Sequence, residues 1–292
     1  TRYEFVTGVQ TCALPIRWMP WLTYGVLILG VILIGFPVWV AIAASTQSIE
    51  QVRDVPMSMA LGAEFFNNLH TVLDSGAGNS AAPVGRMVFN TLVVALVIAV
   101  GKILISLLSA YAFVFFRFPG RTLAFWLIFV TLMLPVEVRI MPTYEVMASL
   151  HLINTYTGLT LPLIASATAT FLFRQFIMTI PPSLVDAARI DGASPMRFFF
   201  EVLLPLSRTN IAALFVITFT YGWNQYLWPL LTTTDESMYT VVVGIKRMLA
   251  GNDAVTEWHL VMVTALLAML PPVLVVVGMQ RWFVKGLVDS DK

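Results

Sequence analysis

Charge and cysteine are what this 292-residue chain has least of. Charged residues make up 11% of it, less than half of the ~25% usual in soluble domains, which excludes an ordinary solvated shell. A single cysteine, Cys12, excludes an intramolecular disulfide. His70, His151 and His259 stand far apart, outside any ligand-spaced cluster, and argue against a metal site. A phosphate-binding loop is also missing. Gly101-Lys102 is the only Gly-Lys pair, Leu96 stands where that motif needs glycine, Ile103 stands where it needs Ser or Thr, and the pair lies in an apolar run. There is no nucleophile elbow and no pair of carboxylates on one helix face. The net charge of +1 carries no nucleic-acid footprint.

What is abundant is apolar. At 58% hydrophobic residues and a mean hydropathy of +0.83, the chain reads as an integral membrane protein. A helical span needs about 20 consecutive apolar residues, and six stretches meet that need. Residues 22–44 carry no charge; 88–114 are interrupted only by Lys102; 123–142 end in Glu137-Val138-Arg139. The others run over about 153–173, 209–231 and 260–280. This pattern predicts an all-α membrane protein with six transmembrane helices in one transmembrane domain.

The first sixteen residues, TRYEFVTGVQTCALPI, form neither a positively charged signal start nor an apolar span, and they lack an initiator Met. They read as translated sequencing-adapter sequence outside the fold, and Cys12 goes with them. The expected division is therefore 1–16 non-native, 17–85 first helix and extracytoplasmic loop, 86–281 transmembrane unit, and 282–292 cytoplasmic tail. Loop charges orient it, because cytoplasmic loops retain Lys and Arg. Arg117 and Arg121 fall in one loop, Arg174, Arg189, Arg197 and Arg208 in and around another, and Arg281, Lys285 and Lys292 at the C-terminal end. The alternate loops are acid-rich. Residues 45–86 hold Glu50, Asp54, Glu64 and Asp74 against Arg53 and Arg86, and 233–258 hold Asp235, Glu236, Asp253 and Glu257 against Lys246 and Arg247. Both termini and the 183–205 loop are expected in the cytoplasm.

That loop, SLVDAARIDGASPMRFFFEVLLP, is polar and sits between two apolar segments. Pro181-Pro182 ends the preceding segment, Ser183 offers a capping hydroxyl, and Leu184, Val185, Ala188 and Ile190 give the helix an apolar side. Gly192 permits the positive backbone angle of a sharp turn, and Ser194-Pro195 starts a second helix through Phe198, Phe199 and Phe200. The product is a helix-turn-helix along the membrane surface, with alanines small enough for a partner's close approach. An amphipathic helix resting on lipid is the plainer reading.

Ionisable groups inside a bilayer are costly and tend to face the bundle interior or water. This singles out Lys102, Glu137 and Arg139. For Lys102, interhelical pairing or snorkelling stands beside lining of a substrate path; for Glu137 and Arg139 the expected role is at an extracytoplasmic gate or a receptor-facing surface. Tyr221, Trp223, Asn224, Gln225, Tyr226 and Trp228 cluster further on. An aromatic belt would account for Trp and Tyr, but amides are costly against lipid, so Asn224 and Gln225, with Tyr226, are placed inward on the path. The run Ala165-Ser166-Ala167-Thr168-Ala169-Thr170 reads as close helix packing. Pro135, Pro142, Pro162, Pro271 and Pro272 are candidate kinks. The 45–86 loop, with Gly76, Gly78, Asn79, Ser80 and Pro83, is flexible in composition and is either a partner surface or a passive connection.

Asp186-Ala187-Ala188, followed by Gly192 and by Leu204-Pro205, resembles the acidic-Ala-Ala signature (EAA motif) of ABC-importer permeases, with Asp in place of the commoner Glu. The segments EVRIMPTYEV, LPLIASATATFLFRQF, IDGASPMRFF, ALFVITFTYGWNQYLWPLL and FVKGLVDSDK extend that likeness. Over the whole chain after residue 17 it resembles the membrane subunits of bacterial sn-glycerol-3-phosphate importers, within the carbohydrate-type family that includes the maltose permeases. The resemblance implies an ABC importer type I (MetI-like) fold and a non-catalytic permease in the bacterial inner membrane. It implies that Asp186, Ala187, Ala188, Gly192, Leu204 and Pro205 form a coupling element for a separate ATPase, which carries the ATP and Mg, and that this chain binds no cofactor of its own. The implied partners are a second permease subunit, two copies of the ATPase and an extracytoplasmic substrate-binding protein. A permease for another sugar or polyol phosphate is one alternative; an ion-coupled secondary transporter, which would show broken helices and midplane ion ligands in related halves, is another.

Overall fold

The computed structural model describes residues 20–75, 82–131, 134, 136–250 and 256–288. Cys12 and the 1–16 segment lie outside these residues, as do Gly76, Gly78, Asn79, Ser80, Pro135, Asp253 and Lys292. Helix α1 (Pro20–Ser45) leads through α2 (Ile49–Arg53) and α3 (Phe65–Ser75) to α4 (Val84–Phe115). Next come α5 (Arg121–Val130), α6 (Val136–Ser149), α7 (Tyr156–Thr160) and α8 (Ala167–Met178). Helices α9 (Pro182–Ile190) and α10 (Pro195–Phe198), a π-helical turn over Phe199–Leu203, and α11 (Leu204–Leu206) build the following loop. The chain closes with α12 (Arg208–Trp223), α13 (Leu227–Thr232), α14 (Val241–Leu249) and α15 (Trp258–Val288).

Three of the six apolar stretches become continuous helices long enough to cross a bilayer: Trp21–Ser45, Val84–Phe115 and Trp258–Gln280. Two more are bent pairs. Residues 156–163 join α8 at 48°, and 195–206 join α12 at 72°. Proline and serine make both bends. Pro162 occupies a tight turn, and the Ser166 hydroxyl accepts the Ala169 N–H to begin α8 afresh. At the second bend Pro205 cannot donate to the helix ladder, the chain loosens into the π turn, and buried Ser207 returns both its N–H and its hydroxyl to the Leu203 carbonyl. At its far end α12 stops at Trp223 rather than continuing to 231, with Asn224 as the cap residue. The 123–142 stretch is divided too: α5 has ten residues, about 15 Å at 1.5 Å each, and α6 runs past it to Ser149. Hydropathy senses apolarity, not continuity.

Helix α4 is the axis of the bundle, with α8 and α12 against its sides and α3, α7 and α14 at its N-terminal end. A Cβ on Gly222 would lie 3.0 Å from the Ala95 Cα, so only glycine lets α12 approach α4 this closely. One core gathers Val84, Met87, Ala95, Phe219, Trp223, Tyr239 and Val241; a second, towards the other end of α4, gathers Leu107, Tyr111, Phe173, Ile177, Phe198 and Leu203. Because lipid is as apolar as these side chains, contact density and hydrogen bonds hold the helices together more than exclusion of water does. Helix α1 packs along α15 but leaves most of its apolar surface uncovered, Ile34 being 78% exposed.

The two acid-rich loops meet at the N-terminal end of α4. Buried Asn90 donates to the Ser237 and Tyr239 carbonyls at 2.9 and 3.1 Å and accepts the Tyr156 hydroxyl at 2.6 Å. Arg86 adds a 3.0 Å bond to Ser237, and the Thr91 hydroxyl accepts the Val241 N–H at 2.8 Å. Nearby, Asn154, at φ 58, accepts the N–H groups of Thr234 and Asp235 and ties the turn before α7 to the same loop. The 183–205 loop sits at the opposite end of α4, where the Tyr111 hydroxyl donates to the Pro195 carbonyl at 2.8 Å.

Candidate coupling loop and membrane cleft

The 183–205 segment folds as a helix-turn-helix. Gly192 makes the turn at φ +73, a conformation that costs other L-residues energy, and the Ser194 hydroxyl accepts the Arg197 N–H at 3.3 Å with Pro195 in the first helical position. Ser183 does not cap α9. The helix begins at Pro182 with Pro181 as its cap residue, since the ring presets φ and the missing N–H falls where no helical bond is made. The second helix is also shorter than a run through Phe200, ending at Phe198 where the π turn takes over.

The apolar side of α9 is divided. Val185 and Ala188 turn inward beside Tyr111, Phe115 and Phe198, while Leu184 and Ile190 face out, Ile190 with 85% of its surface uncovered. Asp186 and Ala187 are exposed; the Asp186 carboxylate meets Arg189 at 3.5 Å in a solvent-facing pair that adds little stability. Arg197 and Glu201 form a second such pair at 2.8 Å. Leu204 and Pro205 are half-buried at the bend into α12. The six signature residues therefore separate into an exposed pair, one inward-turned alanine, a turn and the bend into α12.

A second feature opens in the bundle interior. A cleft of ≈ 700 Å³ is walled by α4, α8, α12 and the junction of α5 with α6, and both Lys102 and Arg139 line it. Lys102 lies mid-way along α4, is 8% exposed, and holds its Nζ 3.7 Å from the centroid of the Tyr221 ring. Among the described side chains, which do not include that of Glu137, no carboxylate pairs with either cation. Residues 165–170 line the cleft as well, so that small, weakly polar run forms part of its wall. Glu137 is on the first turn of α6; its side chain lies outside what the structure describes.

Asn224, Gln225 and Tyr226 do not line this cleft. Asn224 terminates α12 with an exposed side chain, Gln225 donates to the Tyr221 carbonyl at 3.1 Å, and the Tyr226 ring has Lys246 Nζ at 5.9 Å. Helix α12 stops just before them, which carries them past the cleft and leaves Tyr221 on it. The sequence signal for Tyr221 is its position, three residues before Asn224 in the aromatic and amide cluster. Trp223 and Trp228 are buried, with indole N–H bonds to the Ala268 and Gly158 carbonyls, so they are packing residues rather than an interfacial belt. Among the described residues no group of three or more His, Cys, Asp or Glu is placed to hold a metal ion.

Bent spans around an interior cleft, with a polar helical hairpin at one end, make an all-helical membrane fold, and comparison with known proteins makes it that of a permease. The fold matches a chain from the crystal structure of a bacterial ABC transporter involved in the import of the acidic polysaccharide alginate, with a TM-score of 0.80 and 18% identity, covering 97% of this chain and 100% of that one. Residues 102–289 match the family described as binding-protein-dependent transport system inner membrane component, and the chain belongs to that family. It is a non-catalytic, multi-pass component of the inner membrane. The sn-glycerol-3-phosphate transport system permease protein UgpE of Pectobacterium atrosepticum is 60% identical over 266 residues, 91% of this chain and 95% of that protein. UgpE of Escherichia coli K12 is 58% identical over 276 residues, 94% of this chain and 98% of its own length.

Proposed function

We propose that this chain is a permease subunit of an ATP-driven, binding-protein-dependent importer of sn-glycerol 3-phosphate. The observation that carries the reading is identity of 58–60% with UgpE permeases across more than nine-tenths of both partners. The chain forms half of the translocation pathway, a second permease subunit forms the other half, and two copies of an ATPase dock on the cytoplasmic face. An extracytoplasmic binding protein delivers the substrate to the acid-rich end of the bundle. The ABC-type unit is 86–281, with the first helix at its edge, both termini inside and a short cytoplasmic tail from 282.

ATP binding closes the ATPase pair, draws the 183–205 loops together and rocks the two permeases outward; hydrolysis returns the pathway to the cytoplasm. ATP can drive this only by binding the outward-facing assembly more tightly than the inward-facing one. Support for the loop as coupling element comes from Asp186, Ala187, Leu184 and Ile190, which present one charge, one small residue and two uncovered apolar side chains. Tyr111 then joins the loop to α4, so movement at the dock is handed to a central helix. Uptake of labelled glycerol 3-phosphate by the reconstituted complex tests the reading, with maltose and inorganic phosphate as competitors. ATP-dependent accumulation resistant to maltose is the expected result; efficient maltose import would overturn the substrate.

A further inference from the structure

The cleft contains something a neutral polyol does not need. Two cations, Lys102 and Arg139, line one interior space, with no pairing carboxylate among the described side chains. Placing an ammonium mid-way along a membrane span is costly, and the Tyr221 ring compensates for only part of that cost. Because the ring covers one side of Nζ through its π face, the ammonium protons directed away from it stay available as donors.

We infer that Lys102 and Arg139 form an anion-recognition point on the pathway, which holds the phosphate dianion of a phosphorylated polyol while the substrate crosses. The two positive charges match the two negative charges of a phosphomonoester near neutral pH, and charge-assisted bonds from ammonium and guanidinium are the strong ones for phosphate oxygens. Ser109 and Thr168 open on the same cleft and supply hydroxyls for the polyol end. Tyr221 is a positioning residue, since it holds the Lys102 head against the cleft wall. The geometry also fits transit, because partly exposed Arg139 and a flexible lysine can release an anion that a fully enclosed site would trap. The inference rests on the proposed import of glycerol 3-phosphate.

The test uses the complete importer in proteoliposomes with labelled glycerol 3-phosphate, and follows assembly separately by co-purification of the ATPase. Lys102→Met and Arg139→Gln are each expected to lower uptake at least tenfold, with Lys102→Arg recovering most of it. Tyr221→Phe, which keeps the ring, is expected to stay within threefold of the wild type, whereas Tyr221→Ala behaves like Lys102→Met. Arg139 is exposed, so its variant tests the site even if Lys102→Met fails to assemble. Undiminished uptake by an assembled Arg139→Gln complex would overturn the proposal. So would recovery of transport in a Lys102→Met/Glu137→Gln double variant, which would make Lys102 half of an internal ion pair. If the wild-type complex itself imports no glycerol 3-phosphate, the substrate reading fails and not the geometry of the cations; the variants are then compared on the anionic substrate it does carry.

Discussion

Single residues carry the sharpest constraints. Gly192 stands at φ +73 with nothing within 4 Å of where a Cβ would be, so the restriction is conformational and not steric crowding by neighbours. A β-branched residue there is disfavoured by roughly 1–2 kcal/mol and would open the turn. Gly192→Val should leave the protein in the membrane but reduce ATP-driven uptake at least tenfold, whereas Gly192→Asn, which tolerates the left-handed region, should keep most of it. Proteoliposome uptake normalised to permease content measures both. Gly192 is legible in the sequence because a glycine between two helical patterns serves a turn better than it serves either helix. Ser183 misleads: a hydroxyl near a helix start suggests a cap, but the Pro181-Pro182 pair already places that start two residues earlier. Asn224 and Gln225 are a different case. Their polarity tells against lipid contact, yet the end of α12 puts them beyond the cleft and leaves that place to Tyr221.

Among elements, α4 is the one on which both ends depend. Asn90 near its beginning makes three hydrogen bonds across more than sixty residues of sequence, and Tyr111 near its end makes one to the coupling loop. Removing the Asn90 side chain takes a partner from the Tyr239 carbonyl and the Tyr156 hydroxyl, at about 1–3 kcal/mol for an unsatisfied buried group, while Arg86 still reaches the Ser237 carbonyl. Asn90→Ala should therefore lower the detergent-solubilised melting temperature by several degrees and expose the 233–241 loop to protease, while Asn90→Asp keeps the acceptor and loses less. A thermal scan with limited proteolysis separates them. Apolar windows predict where helices lie but not where they break, because Pro162, Ser166, Pro205 and Ser207 act through backbone hydrogen bonding that a hydropathy average does not contain.

For the whole molecule, the question is which uncovered surface belongs to lipid and which to protein. Helix α1 is apolar all round and uncharged, as a lipid-facing or subunit-facing span should be. Ile190 is uncovered on a helix that also carries Asp186 and Arg189, a mixture suited to a protein partner in water. Ile190→Ser should change permease stability by no more than about 0.5 kcal/mol, as surface substitutions do, yet should reduce the amount of ATPase that co-purifies. Unchanged retention of the ATPase would move the dock elsewhere on the loop. The chain by itself determined its solvent, its helical class, the polar hairpin and the two kinds of loop, because each depends on composition or on neighbours within a few residues. Tertiary structure decided that Lys102, Arg139 and Tyr221 share one cleft, that residues 165–170 line it and that Trp223 and Trp228 are core. Those outcomes depend on where bent helices cross, and a crossing is set by contacts between residues far apart in the chain.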